Sequence, residues 1–254
     1  MQTHKQQLIF GRHPVLQALE NNQVDKILIL KDSRGPIIDE IKAEAKKTLV
    51  PVKLITEEVL QKILFKQRIQ HEVQHQGILA WTALITYYQI EDVLPQIYEN
   101  AEIPLILILD GITDVGNLGA IARSAWCMGA HALVVPHNHS AQINADAVKS
   151  SAGAILQINV CRTFSLRRAV EYLKYNGIKI FASHVESGIP AGLLNLREPS
   201  AIILGSEGEG VSKELLDKAD QQIKIPMKQD FDSLNVSVSA GILLYEAYKQ
   251  RNRI

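Results

Sequence analysis

The stretch Leu105-Ile-Leu-Ile-Leu-Asp110-Gly-Ile-Thr-Asp114-Val-Gly116-Asn-Leu-Gly119-Ala-Ile-Ala-Arg123-Ser-Ala-Trp-Cys-Met-Gly129 decides the fold class. Its five leading apolar residues do not alternate with polar ones, which predicts a strand buried on both faces, as in a parallel sheet covered by helices. Asp110-Gly111 ends that strand, a turn rich in Gly and Asp follows, and a helix is expected from about 117 to 129. Ligands of α/β proteins sit at the carboxyl ends of such strands. Gly116 and Gly119 permit close backbone approach, and Asn117 reads as a helix cap. Arg123 is the odd residue, a charge within a small and apolar helix start; it is either a solvated surface arginine or a functional one.

Outward from this stretch, short apolar runs keep alternating with helical periodicity. Downstream, strands are expected at 132–135, 179–182, 201–204 and 222–225, and helices near 165–175, 211–219 and 235–251. Upstream, 7–10, 26–30, 52–55 and 76–81 read as β-rich runs separated by helical segments at 14–19, 36–47 and 57–64. The chain is therefore expected to divide into a small α/β domain at 1–82, a connector at 83–102 and a larger α/β domain at 103–254. Within the connector, 90–98 has the pattern of a short amphipathic helix interrupted by Pro95.

Two later segments repeat the design of the first. Ala201-Ile-Ile-Leu204-Gly205-Ser-Glu207-Gly208-Glu-Gly210-Val-Ser-Lys-Glu-Leu-Leu216 is again an apolar strand running into a glycine-rich turn and a helix. Ile225-Pro-Met227-Lys-Gln-Asp-Phe-Asp-Ser233-Leu234-Asn235-Val-Ser-Val238 carries a strand end, a polar loop and the start of the last helix. In this order and spacing, the segments at 117–123, 205–210 and 233–238 resemble the signature motifs of the SpoU/TrmH family of RNA ribose 2'-O-methyltransferases, members of the SPOUT superfamily. The resemblance covers roughly residues 103–251. The opening Ile9-Phe-Gly11-Arg12-His-Pro-Val-Leu-Gln-Ala-Leu19, with His75-Gln-Gly-Ile78, is similar to the substrate-recognition domain of the family's bacterial large-subunit rRNA guanosine 2'-O-methyltransferases, itself similar to ribosomal protein L30e. The implied fold is a C-terminal α/β SPOUT domain with a parallel sheet and a deep trefoil knot, preceded by a small L30e-like α/β domain that binds the RNA substrate.

A ribose 2'-hydroxyl is a weak nucleophile. Its methylation needs a methyl sulfonium held in line, a route for the hydroxyl proton and accurate placement of the ribose. The resemblance implies S-adenosyl-L-methionine as the donor, held mostly by main-chain groups around Leu204, Gly205, Gly210, Ile225, Met227 and Leu234. Gly205, Gly208 and Gly210 would then admit close approach of the cofactor, and Leu234 would cover its adenine. The spacing of these glycines is not the dinucleotide Gly-x-Gly-x-x-Gly fingerprint, which disfavours a Rossmann dehydrogenase.

The resemblance also implies Arg123 as catalytic, with Asn117, Glu207, Ser233 and Asn235 about the target. A guanidinium is a poor proton acceptor, so Arg123 is better read as gripping the target's phosphate and orienting the 2'-oxygen than as a base. Helix capping is the plain alternative for Asn117, Ser233 and Asn235. In the N-terminal domain Gly11 and Arg12 are the candidate RNA contacts, Gly11 by freeing backbone amides for a phosphate or else as an ordinary turn glycine. His75 reads as a turn or core residue rather than an RNA contact.

Composition narrows the class without selecting the function. In 254 residues, 27 Lys and Arg balance 27 Asp and Glu, which argues against a non-specific coat whose affinity rests on phosphate neutralisation. Residues 1–80 nonetheless hold 12 basic against 9 acidic side chains, together with His4, His13, His71 and His75, so a local RNA patch is compatible with the neutral total. Cys127 and Cys161 suit neither a disulfide framework nor a metal site, and Cys127 is expected as a reduced core thiol. No apolar run approaches the eighteen or so residues of a membrane helix, and the start has no signal core. A cytoplasmic protein without metal or membrane contact is expected.

The last helix, 236–248, is apolar beyond one narrow stripe at Val238, Ile242, Leu243, Tyr245 and Ala247. With the resemblance this implies a homodimer through the C-terminal domain; a helix buried within its own monomer is the alternative. The first choice of target is a guanosine of 23S rRNA. The acidic, aromatic loop Lys228-Gln-Asp-Phe-Asp232 departs from the small neutral residues of many rRNA-directed relatives and keeps tRNA open. The rival of another class is a catalytically silent RNA-binding, ribosome-assembly protein on the same scaffold, which the intact Asn117, Arg123, Glu207, Ser233 and Asn235 disfavour.

Overall fold

The computed structural model describes residues 6–67, 69, 74–184, 187–228 and 233–253; His4, His71 and loop residues 229–232 lie outside the described residues. The chain forms two compact units, Met1–Thr86 and Tyr87–Ile254.

In the first unit, β1 (Leu8–Phe10), α1 (Arg12–Glu20), β2 (Val24–Leu30), α2 (Pro36–Lys47), β3 (Val52–Ile55), α3 (Glu57–Lys66) and β4 (Ile78–Thr82) follow one another. The strands lie in the order β1-β4-β2-β3, with β2 and β3 parallel and both pairings of β4 antiparallel. Strand β2 is apolar on both faces because both are covered. Ile27 and Ile29 pack with Val15 and Leu19 of α1 and Ile38 and Ile41 of α2, while Leu28 packs with Leu60 and Leu64 of α3.

The second unit comprises β5 (Tyr87–Tyr88), α4 (Ile90–Glu99), β6 (Leu105–Leu109), α5 (Val115–Cys127), β7 (Ala132–Pro136), α6 (Ala145–Ser150) and β8 (Asn159–Thr163). After these come α7 (Leu166–Tyr175), β9 (Lys179–Ser183), β10 (Ile189–Pro190), β11 (Ser200–Leu204), α8 (Lys213–Lys218), β12 (Gln221–Lys224) and α9 (Val236–Asn252). Among the described residues its sheet has eight strands in the order β10-β12-β9-β11-β6-β7-β8-β5, and every pairing is parallel. All five residues of both β6 and β11 are buried, as unbroken apolar runs in a covered parallel sheet must be.

Residues 87–102 of the stretch expected as a connector are built into this unit, and 83–86 belong to the first. Tyr87 and Tyr88 pair with Val160 and Cys161 of β8, and the Arg162 guanidinium lies 3.4 Å from the centre of the Tyr87 ring. Helix α4 runs through Pro95 unbroken, because Pro95 faces solvent while Ile90, Val93, Leu94 and Ile97 enter the core. Burying such side chains is worth about 1.5–3 kcal/mol each, against a cost of about 3 kcal/mol for an interior proline. Strand β8 and helix α6 were not expected; with Asn159 at one end and Arg162 and Thr163 at the other, Asn159-Val-Cys-Arg-Thr carries too little apolar pattern to announce a strand. Cys127 corrects a second expectation: it is exposed, because Leu118, Ile121, Ala122 and Ala125 take the inward face of α5. Cys161 is the buried thiol, and burial pushes its pKa up.

Near the carboxyl end of α9, Arg251 spends its guanidinium on the starts of β6 and β11. Nε donates to Leu196 O at 2.9 Å, Nη1 to Ile103 O at 2.6 Å, and Nη2 to Pro104 O, Glu198 O and Ser200 Oγ, each at 2.9 Å. Burial pushes its pKa down to about 10, so it still carries its charge at neutral pH. Replacing it by Met removes every one of these donors and leaves carbonyls without partners, so Arg251→Met is expected to destabilise the second unit by about 3 kcal/mol or more. Urea unfolding checks this, and an unchanged midpoint would overturn it.

Candidate active site

Strands β6 and β11 run side by side, with Leu105 opposite Ser200 and Leu109 opposite Leu204, so the loops that leave them emerge together at the carboxyl edge. Asp110 ties the two loops: its N–H donates to Leu204 O, and its Oδ2 accepts from the Ser212 N–H, both at 2.8 Å. Strand β12, on the far side of β9, brings residues 225–227 to the same edge.

Three of the five residues expected about the target meet here. The Asn117 Nδ2 donates to Glu207 Oε1 at 3.2 Å, and the Asn235 Nδ2 donates to Asn117 Oδ1 at 3.0 Å and also to Glu207 Oε1. The Val236 N–H reaches the same carboxylate oxygen at 3.4 Å. The start of α5, the glycine loop after β11 and the start of α9 thus converge on one carboxylate. Asn117 does not cap its helix; Asp114 does, accepting from the Asn117 N–H at 2.7 Å, which leaves the Asn117 amide free to point outward. Asn235 does both jobs. Its Oδ1 caps α9 by accepting from the N–H groups of Ser237 and Val238, while its Nδ2 serves the cluster. An Asp three residues before Asn117 is the N-cap signature that identifies Asp114 from sequence.

Ser233 lies two residues before Asn235 and is half-buried, but no hydrogen bond among the described residues engages it. Arg123 stands apart from the trio. Six residues beyond Asn117 it is about 9 Å further along the helix and on another flank, and it is exposed together with Trp126 and Cys127.

The glycine loop closes on itself. Gly210 N–H donates to Ser206 O at 2.9 Å, and the Glu209 N–H to Ser206 Oγ at 3.2 Å. A Cβ on Gly205 would stand 1.9 Å from Gly210 C and 2.1 Å from Val211 N. Gly205 is therefore required by the loop's own backbone, not only by a ligand as expected. Gly210 is needed for its φ of +68°, and Gly208 has open space around it. Leu204 is buried, Ile225 and Leu234 are half-buried and Met227 is exposed, so the edge offers apolar surface between the loops.

In the first unit, Gly11 precedes α1 at φ +91° and Gly35 precedes α2 at φ +123°, both without a side-chain cap. Arg12 donates from its main-chain N–H to Gln76 Oε1 at 3.0 Å and from Nε to Gln76 O at 3.3 Å. Arg12, His13, Lys31 and Arg34 gather round a cavity of about 890 Å3. His75 accepts from the Gly77 N–H at 3.0 Å, the turn role expected of it. Among the described residues no group of three or more His, Cys, Asp or Glu is placed to hold a metal ion, and no helix is long and apolar enough to cross a membrane.

Residues 104–245 match the SpoU rRNA methylase family, and residues 8–88 match the RNA 2'-O ribose methyltransferase substrate-binding family. The chain is 36% identical over 245 residues to an uncharacterised tRNA/rRNA methyltransferase of Synechocystis sp., an alignment that spans 96% of this chain and 62% of that longer protein. It is also 36% identical over 251 residues to the 23S rRNA (guanosine-2'-O-)-methyltransferase RlmB of Pectobacterium atrosepticum, spanning 96% of this chain and 98% of the relative. The SpoU methyltransferase AviRb of Streptomyces viridochromogenes, solved in complex with the cofactor AdoMet, shares the fold with a TM-score of 0.59 at 22% identity, over 98% of this chain and 92% of that one. The matched range includes the segments that meet at the carboxyl edge, and the chain belongs to the SpoU/TrmH family of RNA methyltransferases.

Proposed function

We propose that this protein transfers a methyl group from S-adenosylmethionine to the 2'-oxygen of a ribose in RNA, with a guanosine of 23S rRNA as its target. The observation that carries the reading is the meeting of Asn117 and Asn235 on the Glu207 carboxylate, at the edge where two glycine-bearing loops emerge. The residues present fit the donor: Ile225, Met227 and Leu234 supply partly exposed apolar surface for an adenine beside the turned-back loop at Gly205 and Gly210. When bound, S-adenosylmethionine supplies an electrophilic methyl group. Asn117 and Asn235 hold Glu207 in one orientation, and Glu207 with Ser233 fixes the ribose. Arg123, on another flank of α5, grips the adjoining phosphate with its guanidinium and through it orients the 2'-oxygen, whose proton leaves to that phosphate or to water.

The first unit, with Gly11 at the start of α1 and Arg12, His13, Lys31 and Arg34 round a cavity that also holds Asp32 and Glu57, selects the RNA and serves as the substrate-binding domain. The trefoil knot, formed by the stretch from Leu204 to the start of α9, belongs to the same proposal, as does a cytoplasmic location beside the ribosome. So does a homodimer. Val238, Ile242 and Tyr245 form an outward stripe on α9 at helical spacing, and Trp126 of the neighbouring α5 is 48% exposed; a second copy of the chain covers this surface.

Mapping of ribose methylation in rRNA and tRNA from a strain lacking the protein tests the target. One guanosine of 23S rRNA is expected to lose its methyl group, and Arg123→Ala is expected not to restore it, although the purified variant keeps its affinity for S-adenosylmethionine within a few-fold. Loss of cofactor binding in the folded variant would refute the role given to Arg123, and a methyl lost from tRNA instead would redirect the target. Gly205→Ala drives a methyl group into the backbone at 210–211, so both the thermal stability of the second unit and cofactor affinity should fall, whereas Gly208→Ala should leave the thermal stability near its starting value. Sedimentation at micromolar concentration checks the dimer: a fully active species at the 28.3 kDa monomer mass would end that idea.

A further inference from the structure

The glycine loop has two flanks. Helices α5 and α9 pack together on one and carry Asn117 and Asn235; helices α7 and α8 pack together on the other. On that second flank lies a cavity of about 620 Å3, in the range of small-molecule sites. Its wall includes Thr113 after β6, Asn138 and His139 after β7, Phe164 at the start of α7, and Ser206 and Glu209 of the glycine loop itself. Leu204, Ile225, Met227 and Leu234 do not line it, so it is not the space proposed for the methyl donor.

The chemistry of the wall is specific. Phe164 is 54% exposed, with its ring tilted against that of His137 at 4.6 Å between centroids, a flat apolar surface left open at the mouth of a polar cavity. The charges around it are mostly committed. Arg167 bonds Glu171 at 3.1 Å and Glu214 at 3.6 Å, and Asp110 accepts from Ser212. Glu209 differs: its main chain is anchored to Ser206 Oγ, while its carboxylate is exposed and enters no ion pair among the described residues. A wall with three carboxylates and one guanidinium repels phosphate and favours a ligand that presents N–H donors. An aromatic platform and a free carboxylate on the wall of one cavity suit an unpaired nucleobase. Of the four RNA bases, guanine alone presents two adjacent donors, N1–H and the N2 amino group, to a two-oxygen acceptor.

We propose that this cavity receives the guanine base of the nucleotide being methylated, stacked on Phe164 with its Watson–Crick edge against Glu209. The inference rests on the proposed ribose methyl transfer and explains how one loop serves it: Glu207 turns to the ribose on one flank, and Glu209, two residues on, reads the base on the other.

The test uses the full chain with bound S-adenosylhomocysteine, titrated with GMP, AMP, CMP and UMP and followed by amide NMR. GMP is expected to shift the signals of residues 138–139, 164–167 and 206–209 and to bind best of the four. Phe164→Ala should weaken GMP binding at least about fivefold, and Glu209→Gln should abolish the preference for GMP and raise the KM for 23S rRNA about tenfold. Equal binding of the four nucleotides, or shifts confined elsewhere, would overturn the proposal. A fall in S-adenosylmethionine affinity in Glu209→Gln would assign the cavity to the donor instead. A protein that prefers GMP here yet methylates no RNA would refute the function and leave the base site standing; a protein that methylates RNA and tolerates both variants would refute the base site alone.

Discussion

The register between β6 and β11 is the constraint on which the second unit depends. Both strands are buried on both faces, so a slip of one residue would turn every side chain to the opposite layer. The pair is pinned at each end. At the amino ends Arg251 binds the carbonyls of Ile103, Pro104 and Glu198 and the Ser200 hydroxyl; at the carboxyl ends Asp110 binds Leu204 and Ser212. Because the strands are held in step, the loops at 110–114 and 205–210 leave the sheet side by side, and a site can be built between them.

What stands at that edge follows from the two ends of an amide. A carboxylate or hydroxyl at position 235 would cap α9 as well as Asn235 does, but a carboxylate has no donor left for Glu207. Asn117 is freed for the cluster only because Asp114 takes over the cap of α5. Two helix starts and a loop are thereby locked to one carboxylate. The loop is equally constrained from within, since Gly205 touches the backbone at 210–211 so closely that any side chain would force it open.

Charge is distributed in the same local way. The chain as a whole is neutral, yet Arg12, His13, Lys31 and Arg34 outnumber Asp32 and Glu57 round one cavity of the first unit, where two glycine-capped helices begin. In the second unit the cavity beside Phe164 is acidic. A net charge averages over surfaces of opposite sign, and recognition depends on each surface separately.

Much of this was legible in the residues. Unbroken apolar runs at 105–109 and 201–204 announce a covered parallel sheet, because only there does neither face of a strand meet water. The order of the three motifs announces the family, and their glycines and helix starts announce where a ligand edge lies. Contacts that join residues far apart in the chain were not legible. Asn117, Glu207 and Asn235 are separated by up to 118 positions, and nothing in their local pattern says that they share hydrogen bonds and that Arg123 is not among them. The incorporation of 87–99 into the sheet and core, through Tyr87 against Arg162 and four inward residues of α4, depended likewise on a distant surface needing cover. Local sequence determined which elements form and which face of each is apolar, since those follow from neighbouring residues. The tertiary structure decided which loop ends meet and which polar groups are shared, since that is set by strand register and by backbones closing at distances only the folded chain defines.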